Sequence, residues 1–180
     1  PMARRLAAAG RPLRVWSRSG TAALEGTPGV HHAASAAEVF AQADTILLML
    51  ASAAATDAVL ARGTPAFDRL VQGRTLVQMG TTAPEYSQGL AAAVRAAGGR
   101  YVEAPVSGSR VPAENGQLVC MLAGADDDVD RVRELLAPLY KDCFACGLPP
   151  AALRMKLSVN LFLITLVSGL AEAVHFAQRQ

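Results

Sequence analysis

The chain of 180 residues has little charge, few aromatic residues and only three cysteines. Charged residues make up 18% of the chain and the formal net charge is +2, so a nucleic-acid partner is not indicated. Three cysteines cannot form a disulfide framework, which favours a reducing, cytoplasmic compartment. Hydrophobic residues make up 52% of the chain, enough for the core of one sizeable domain.

The histidines and cysteines are not spaced as metal ligands or as a redox-active pair. The histidines, which include His31 and His175, have no carboxylates or cysteines at ligand-like spacing, so we assign no metal role. Cys143 and Cys146 lie three apart in a predicted strand and point to opposite faces, so a disulfide between them would be strained. We interpret these two cysteines as small apolar residues.

No hydrophobic run is long enough to predict a membrane span. The most apolar stretch, Val159–Val174, is interrupted by Asn160, Ser168 and Glu172. It also falls short of the roughly 20 residues that a span needs. We therefore predict a helix buried against protein, with no membrane partner.

Short apolar runs alternate with helical patterns along the chain. This alternation predicts an α/β fold with a doubly wound, mostly parallel sheet covered on both faces. Ser35 and Glu38 form a predicted capping box, and the unbroken run Thr45–Leu50 is typical of a central buried strand. The other predicted strands are Leu13–Trp16, Thr75–Met79, Arg100–Val106, Gln117–Ala123 and Lys141–Cys146, and the predicted helices span residues 1–9, 21–25, 36–43, 53–61, 84–97, 126–140 and 151–180.

The stretch Glu103–Ser109 has the composition of a ligand-binding strand end. Ser107, Gly108 and Ser109 are small, and they offer backbone N–H groups and hydroxyls that suit a carboxylate. About fifty residues later, Lys156 and Asn160 lie four apart in a predicted helix and hence on one face. A lysine and an amide on one face can hold and protonate a carbonyl oxygen.

Taken together, six motifs in order resemble the NAD(P)-dependent β-hydroxyacid dehydrogenases, the superfamily of 3-hydroxyisobutyrate and 6-phosphogluconate dehydrogenases. The branch that looks most similar is that of the glyoxylate and succinic semialdehyde reductases. The resemblance covers essentially the whole chain. Its motifs are Pro1-Met2-Ala3, Val15–Ser19, Met49-Leu50, Met79-Gly80-Thr81, Glu103–Ser109 with Ala113–Leu118, and Gly147 with Met155–Asn160.

The resemblance implies a Rossmann-type dinucleotide-binding domain over residues 1–147. Residues 148–180 are then an interdomain helix that begins an all-helical domain, through which we expect a homo-oligomer. The family's first strand and G-x-G-x-x-G loop would lie before Pro1, and the rest of its helical domain after Gln180. We therefore expect a fragment of a longer enzyme, with doubtful activity as an isolated chain.

The resemblance also assigns roles to individual residues. Lys156 is the implied proton donor to the alkoxide that forms during hydride transfer, and Asn160 orients the substrate or the lysine. Ser107, Gly108, Ser109 and Thr81 are the implied substrate-binding residues. The implied cofactor-binding residues are Ser17, Arg18, Ser19, Met49, Leu50 and Thr81.

Ser17-Arg18-Ser19 stands where the resemblance places the choice of cofactor. An acidic residue at this strand end would bind the ribose 2′-hydroxyl of NAD and repel the 2′-phosphate of NADP. None is present, and the guanidinium of Arg18 with two hydroxyls suits a phosphate. We therefore predict NADP rather than NAD as the cofactor.

The predicted function is hydride transfer between NADP(H) and a small, carboxylate-bearing aldehyde, keto acid or β-hydroxy acid. Reduction of glyoxylate or succinic semialdehyde is favoured. One alternative is an NAD-dependent oxidation of the 3-hydroxyisobutyrate type. The other is a dinucleotide-binding module without catalysis, a class that we expect to lack the lysine at position 156.

Overall fold

The computed structural model describes residues 1–179 as an α/β fold with three groups of short strands. The first pairs β1 (Leu13–Val15) with β2 (Val30–His32) in parallel. The second is the parallel group of β3 (Thr45–Leu48), β4 (Thr75–Gln78) and β5 (Arg100–Glu103). In the third, β7 (Leu118–Leu122) pairs with β6 (Val106–Ser107) in antiparallel and with β8 (Tyr140–Ala145) in parallel orientation.

The last two groups are joined at the end of β5. Glu103 and Ala123 form an antiparallel bridge, in which each backbone N–H donates to the other residue's carbonyl oxygen. The N···O distances are 2.8 and 3.0 Å. The bridge places the carboxyl end of β5 beside the end of β7.

Helices cover both faces of the β3–β4–β5 group, as the alternating pattern predicts. One face carries Leu76 and Tyr101 and packs against buried residues such as Leu90 of α5. The opposite face carries Val77 and Val102 and packs against α1 and α7. The helices are α1 (Met2–Ala8), α2 (Ala36–Gln42), α3 (Ala53–Leu60), α4 (Ala66–Val71), α5 (Pro84–Ala96), α6 (Arg110–Asn115), α7 (Asp126–Leu136) and α8 (Ala151–Gln178), with short 3-10 turns at Ala22–Leu24 and Ala137–Leu139.

Local signals in the sequence locate most of these elements correctly. Ser35 caps α2 by accepting a hydrogen bond from the Glu38 N–H, while the Glu38 carboxylate accepts one from the N–H of Ala34. The predicted strand Arg100–Val106 is wrong in extent, since Ala104 and Pro105 separate β5 from β6. β2, α4 and α6 were not predicted, because each is six residues or shorter and has little periodicity.

The prediction of Thr45–Leu50 as a central strand is also wrong for the described residues. β3 ends at Leu48 and pairs only with β4, so it lies at the edge of its group. Its other side borders an apolar groove of about 310 Å³ that separates it from β1. Leu13, Val15 and Leu47 are among the side chains that line this groove.

Helix α8 is mostly exposed, which corrects the prediction of a buried apolar helix at Val159–Val174. Ala152, Leu153 and Lys156 are buried, whereas large apolar residues from Leu157 onward are exposed. No other element in residues 1–179 covers that part of the helix. At 28 residues, α8 is long and apolar enough to cross a membrane by length and composition, which alone is weak support for a span. Gln180, the last residue of the predicted helix, lies outside the described residues.

Candidate active site

The cofactor-side turns after β3 and β4 meet at one edge of the parallel group. Parallel neighbours bring their carboxyl ends to the same edge, which is where α/β folds bind ligands. The N–H groups of Met79 and Gly80 both donate to the carbonyl of Leu48, at 2.9 and 3.3 Å. A Cβ on Gly80 would lie 2.8 Å from the carbonyl oxygen of Leu50, a distance that real contacts do not reach. Glycine at this position therefore permits the two turns to touch.

The side chain of Glu103 occupies a fully buried position at the end of β5. Its Oε2 accepts hydrogen bonds from the N–H groups of Ala152 and Leu153, at 3.1 and 3.3 Å. Its Oε1 contacts the hydroxyl of Ser87 on α5, and Ser87 also bonds the Tyr101 hydroxyl at 2.7 Å. Burial raises the pKa of Glu103 above its ordinary value of 4.5. This one carboxyl group thus attaches the first turn of α8 to both β5 and α5.

Lys156 lies one helical turn beyond these two N–H groups and is only 8% exposed. Burial lowers the pKa of its ammonium group, because the charged form loses hydration. No carboxylate of residues 1–179 forms an ion pair with it. Asn160 is half-buried on the same face one turn later. An amine that releases its proton more readily than a solvated lysine suits a general acid near neutral pH.

The predicted carboxylate cradle begins on β6, the strand that pairs with β7, and α8 packs against β7. Met121 of β7 packs with Ala152, and its N–H donates to the Pro105 carbonyl just before β6, at 3.1 Å. Ser107 is half-buried in β6. Gly108 has a φ of +124°, and a Cβ there would meet the Leu118 side chain at 2.8 Å.

The remaining predicted ligand residues are exposed. Ser109 precedes α6 without capping it through its side chain, and Thr81 follows Gly80. Both therefore present free hydroxyls to solvent. Neither hydroxyl forms a hydrogen bond within residues 1–179, so both are available to a ligand.

Ser17, Arg18 and Ser19 form an exposed turn after β1. The two serine hydroxyls lie 3.2 Å apart, so they converge on one point. Trp16, which precedes the turn, and Met49 line the same groove between β1 and β3. Trp16 thus brings the start of this turn to the groove that Met49 and Leu50 line. This donor set fits the phosphate end of a dinucleotide.

Two buried polar residues of this region, Gln78 and Thr82, were missed in the sequence. Gln78 ends the fully buried strand β4 and stands in register with Leu48 and Glu103. Neither its amide nor the Thr82 hydroxyl has a hydrogen-bond partner in the described part of the chain. Gln78 and Glu103 each occupy the last position of a largely apolar strand. A polar residue at that position is the signal from which their burial could have been predicted.

A parallel sheet that helices cover on both faces, with small residues and polar side chains at the carboxyl ends of its strands, is typical of a Rossmann-type dinucleotide-binding domain. Residues 1–147 match the family model of the NAD binding domain of 6-phosphogluconate dehydrogenase. The chain belongs to the β-hydroxyacid dehydrogenase family that includes 3-hydroxyisobutyrate and 6-phosphogluconate dehydrogenases.

Relatives from two branches of the family resemble the chain. It is 30% identical over 180 residues to mitochondrial 3-hydroxyisobutyrate dehydrogenase of Mus musculus, covering 99% of this chain and 54% of the relative. It is 30% identical over 181 residues to chloroplastic glyoxylate/succinic semialdehyde reductase 2 of Arabidopsis thaliana, covering 99% and 50%. The chain thus spans about half the length of the curated relatives it matches.

The same fold occurs in a solved structure from Mycobacterium tuberculosis, 3-hydroxyisobutyrate dehydrogenase with L-serine. The two structures superpose with a TM-score of 0.89 at 24% sequence identity. The match covers 99% of this chain and 61% of that one. It supports the α/β architecture predicted from the alternating pattern.

We expect Glu103→Ala to destabilise the fold, and Glu103→Gln to change its pH dependence. The alanine leaves the N–H groups of Ala152 and Leu153 without their acceptor, at about 1–3 kcal/mol for each buried group. Glutamine keeps an acceptor and cannot ionise. Because the folded pKa of Glu103 is raised, its contribution to stability is complete below pH 4.5 and is lost as pH rises through the raised value.

Urea unfolding across this pH range measures the effect. The free energy of unfolding of the unsubstituted protein should fall relative to Glu103→Gln as pH increases above 4.5. Glu25→Gln, at an exposed carboxylate, is the matched control and should follow the unsubstituted protein. A gain of the unsubstituted protein over Glu103→Gln with rising pH would contradict the raised pKa.

Proposed function

We propose that the protein is an NADPH-dependent reductase of small, carboxylate-bearing aldehydes or keto acids, with Lys156 as the proton donor. Glyoxylate and succinic semialdehyde are the favoured substrates, since the second of the two curated relatives is named for them. The reaction is reversible, so the corresponding hydroxy acids are products or substrates. The observation that carries this proposal is the buried Lys156 beside the dinucleotide-binding edge.

Two hydrogen bonds and the burial of its side chain support the role of Lys156. The bonds from Ala152 and Leu153 to Glu103 fix the start of α8 against β5. Lys156 follows on the next turn, where burial lowers the pKa of its ammonium group. It can therefore donate a proton to the substrate oxygen as negative charge develops there, and Asn160 on the same face can orient that oxygen by donating a hydrogen bond.

The cofactor, when bound, supplies a hydride to the carbonyl carbon. On the protein side, the guanidinium of Arg18 and the hydroxyls of Ser17 and Ser19 would hold the 2′-phosphate that distinguishes NADPH. The turns that contain Leu50 and Thr81 would bind the cofactor at the strand edge. At the substrate, the backbone and hydroxyl groups of Ser107–Ser109 would hold the carboxylate.

Two further properties are part of the proposal. A cytoplasmic location is supported by the three free cysteines. Self-association through α8 is supported by its exposed apolar residues, since a patch of this extent on a helix usually marks an interface. These residues include Leu161, Phe162, Leu166 and Leu170, each more than half exposed.

Lys156→Ala should lower the rate of NADPH oxidation with glyoxylate or succinic semialdehyde by about a hundredfold to ten-thousandfold, the usual contribution of a general acid. NADPH affinity, measured by fluorescence titration, should stay within about threefold because the predicted cofactor residues are intact. Lys141→Ala, at the only other lysine, removes an exposed amine and should leave both values unchanged.

Any of three results would contradict the proposal. An unchanged rate in Lys156→Ala would exclude the lysine as proton donor. NADPH binding without turnover in the full-length protein would favour the binding module without catalysis. Turnover with NAD and 3-hydroxyisobutyrate in place of NADPH and glyoxylate would favour the dehydrogenase alternative.

Arg18→Asp should reverse the cofactor preference from NADPH to NADH. The carboxylate repels the 2′-phosphate and can accept a hydrogen bond from the 2′-hydroxyl. The ratio of kcat/KM values for the two cofactors should change by about a hundredfold, as loss of a charged pair costs about 2–5 kcal/mol. Arg95→Asp introduces the same charge change at an exposed site on α5 and should leave the ratio unchanged. A preference for NADH in the unsubstituted protein would contradict the assignment of Arg18.

Light scattering tests the proposed self-association. The unsubstituted protein should be a dimer or larger, and the double substitution Phe162→Glu with Leu166→Glu should make it a monomer because charges oppose apolar contact. Ser168→Glu adds a charge at an exposed polar residue on the opposite face of the helix from Phe162 and Leu166 and should not dissociate the oligomer. A monomeric unsubstituted protein at micromolar concentration would contradict an interface on α8.

A further inference from the structure

Two of the three cysteines are direct neighbours on adjacent strands. Cys120 of β7 and Cys143 of β8 are register partners in a parallel pair. Register partners point to the same face, and paired strands lie about 4.8 Å apart. That spacing is within the Cα separation of about 4.4–6.8 Å that a disulfide requires. The strand register thus creates a thiol pair that the sequence spacing of Cys143 and Cys146 does not reveal.

The surroundings make the two thiols unequal. Cys120 is 1% exposed, whereas Cys143 is partly accessible. The neighbouring Cys120 thiol and the guanidinium of Arg133 lower the pKa of Cys143. The neighbouring Cys143 sulfur and burial raise the pKa of Cys120, and burial raises that of Cys146. Cys143 is therefore the thiol that ionises first and reacts first.

Arg133 has the chemistry to stabilise a thiolate. One of its terminal nitrogens bonds Asp130 on the same helix at 2.9 Å. Its Nε is buried and has no acceptor among the described residues. A guanidinium with a spare donor beside a partly buried sulfur favours the anionic form of that sulfur.

We propose that Cys143 is a site of oxidation by hydroperoxides and that Cys120 resolves the product, closing a disulfide between β7 and β8. In the first step the Cys143 thiolate attacks the terminal oxygen of the hydroperoxide, the O–O bond breaks and an alkoxide leaves (hydroxide in the case of hydrogen peroxide), giving a sulfenic acid. In the second step the Cys120 sulfur attacks the Cys143 sulfur and the S–O bond breaks. The hydroxyl leaves as water with the Cys120 proton. One peroxide is reduced and two thiols are oxidised.

The position of the pair links it to the strand that carries the predicted substrate cradle. Cys120 is also in register with Val106 of β6, the neighbour of Ser107. After β8 the chain continues through Gly147 into α8, which carries Lys156. A bond between Cys120 and Cys143 would fix the relative positions of these two strands. Transient disulfides of this kind are typical of redox-sensing proteins in reducing compartments.

Peptide mapping of the unsubstituted protein tests the proposal without any change to the core. The protein is treated with hydrogen peroxide near neutral pH, remaining thiols are alkylated, and trypsin digestion is carried out without a reductant. Trypsin releases Cys120 in the peptide Val111–Arg131 and both other cysteines in Asp142–Arg154. The expected product is a reductant-sensitive link between these two peptides, with loss of two hydrogen atoms from the intact protein.

Four variants assign the roles. Cys146→Ser should form the link at the same rate as the unsubstituted protein. Cys143→Ser should form none, and Cys120→Ser should accumulate a sulfenic acid at Cys143 that dimedone traps. Arg133→Gln should slow the first step by about tenfold at neutral pH, since fewer thiolates are present, and should raise the midpoint of its pH dependence.

The proposal is overturned by a bond between Cys143 and Cys146, by a link that persists in Cys143→Ser, or by oxidation confined to Cys146. It is also overturned if no thiol reacts until urea unfolds the chain. Because the readout is a covalent bond, it does not depend on reductase activity. Failure here would therefore leave the proposed function untouched.

Discussion

One buried carboxyl group determines how the parts of this domain fit together. Glu103 accepts hydrogen bonds from the first turn of α8, contacts Ser87 of α5 and, through its backbone, bridges β5 to β7. A carboxyl group enclosed in this way is costly unless its partners are in place, so the three elements are favoured in one arrangement only. The position of Lys156, one turn along α8, follows from that arrangement.

The parallel topology supplies the rest of the proposed site. Because β3, β4 and β5 run in the same direction, the turns after them meet at one edge, and Gly80 allows two of those turns to come into contact. The antiparallel strand β6 then places Ser107 next to β7, on which α8 packs. Residues far apart in the sequence thus gather around the ends of the strands.

Much of this was predictable where the signals are local. The capping box at Ser35, the apolar strands and the spacing of Lys156 and Asn160 depend on residues close in sequence, and the structure has the corresponding elements. The family resemblance rested on motifs of the same kind. The features that could not be predicted from the sequence depend on the pairing of strands that are distant in the chain. The register that joins Cys120 to Cys143 and the amide of Gln78, which has no partner among the described residues, follow from which strands are neighbours, and no local pattern contains that information.

Most of helix α8 is not covered by other described residues. Only its first turns, up to Lys156, are buried by the described chain, and the remaining turns expose apolar side chains to water. A helix gains most of its stability from tertiary packing, so an uncovered one depends on whatever binds its apolar face. If a second chain covers that face, the order of α8 and the assembly of the protein are one equilibrium, subject to mass action. Dilution would then loosen the helix from its far end toward Lys156, making the geometry of the proposed site a function of protein concentration.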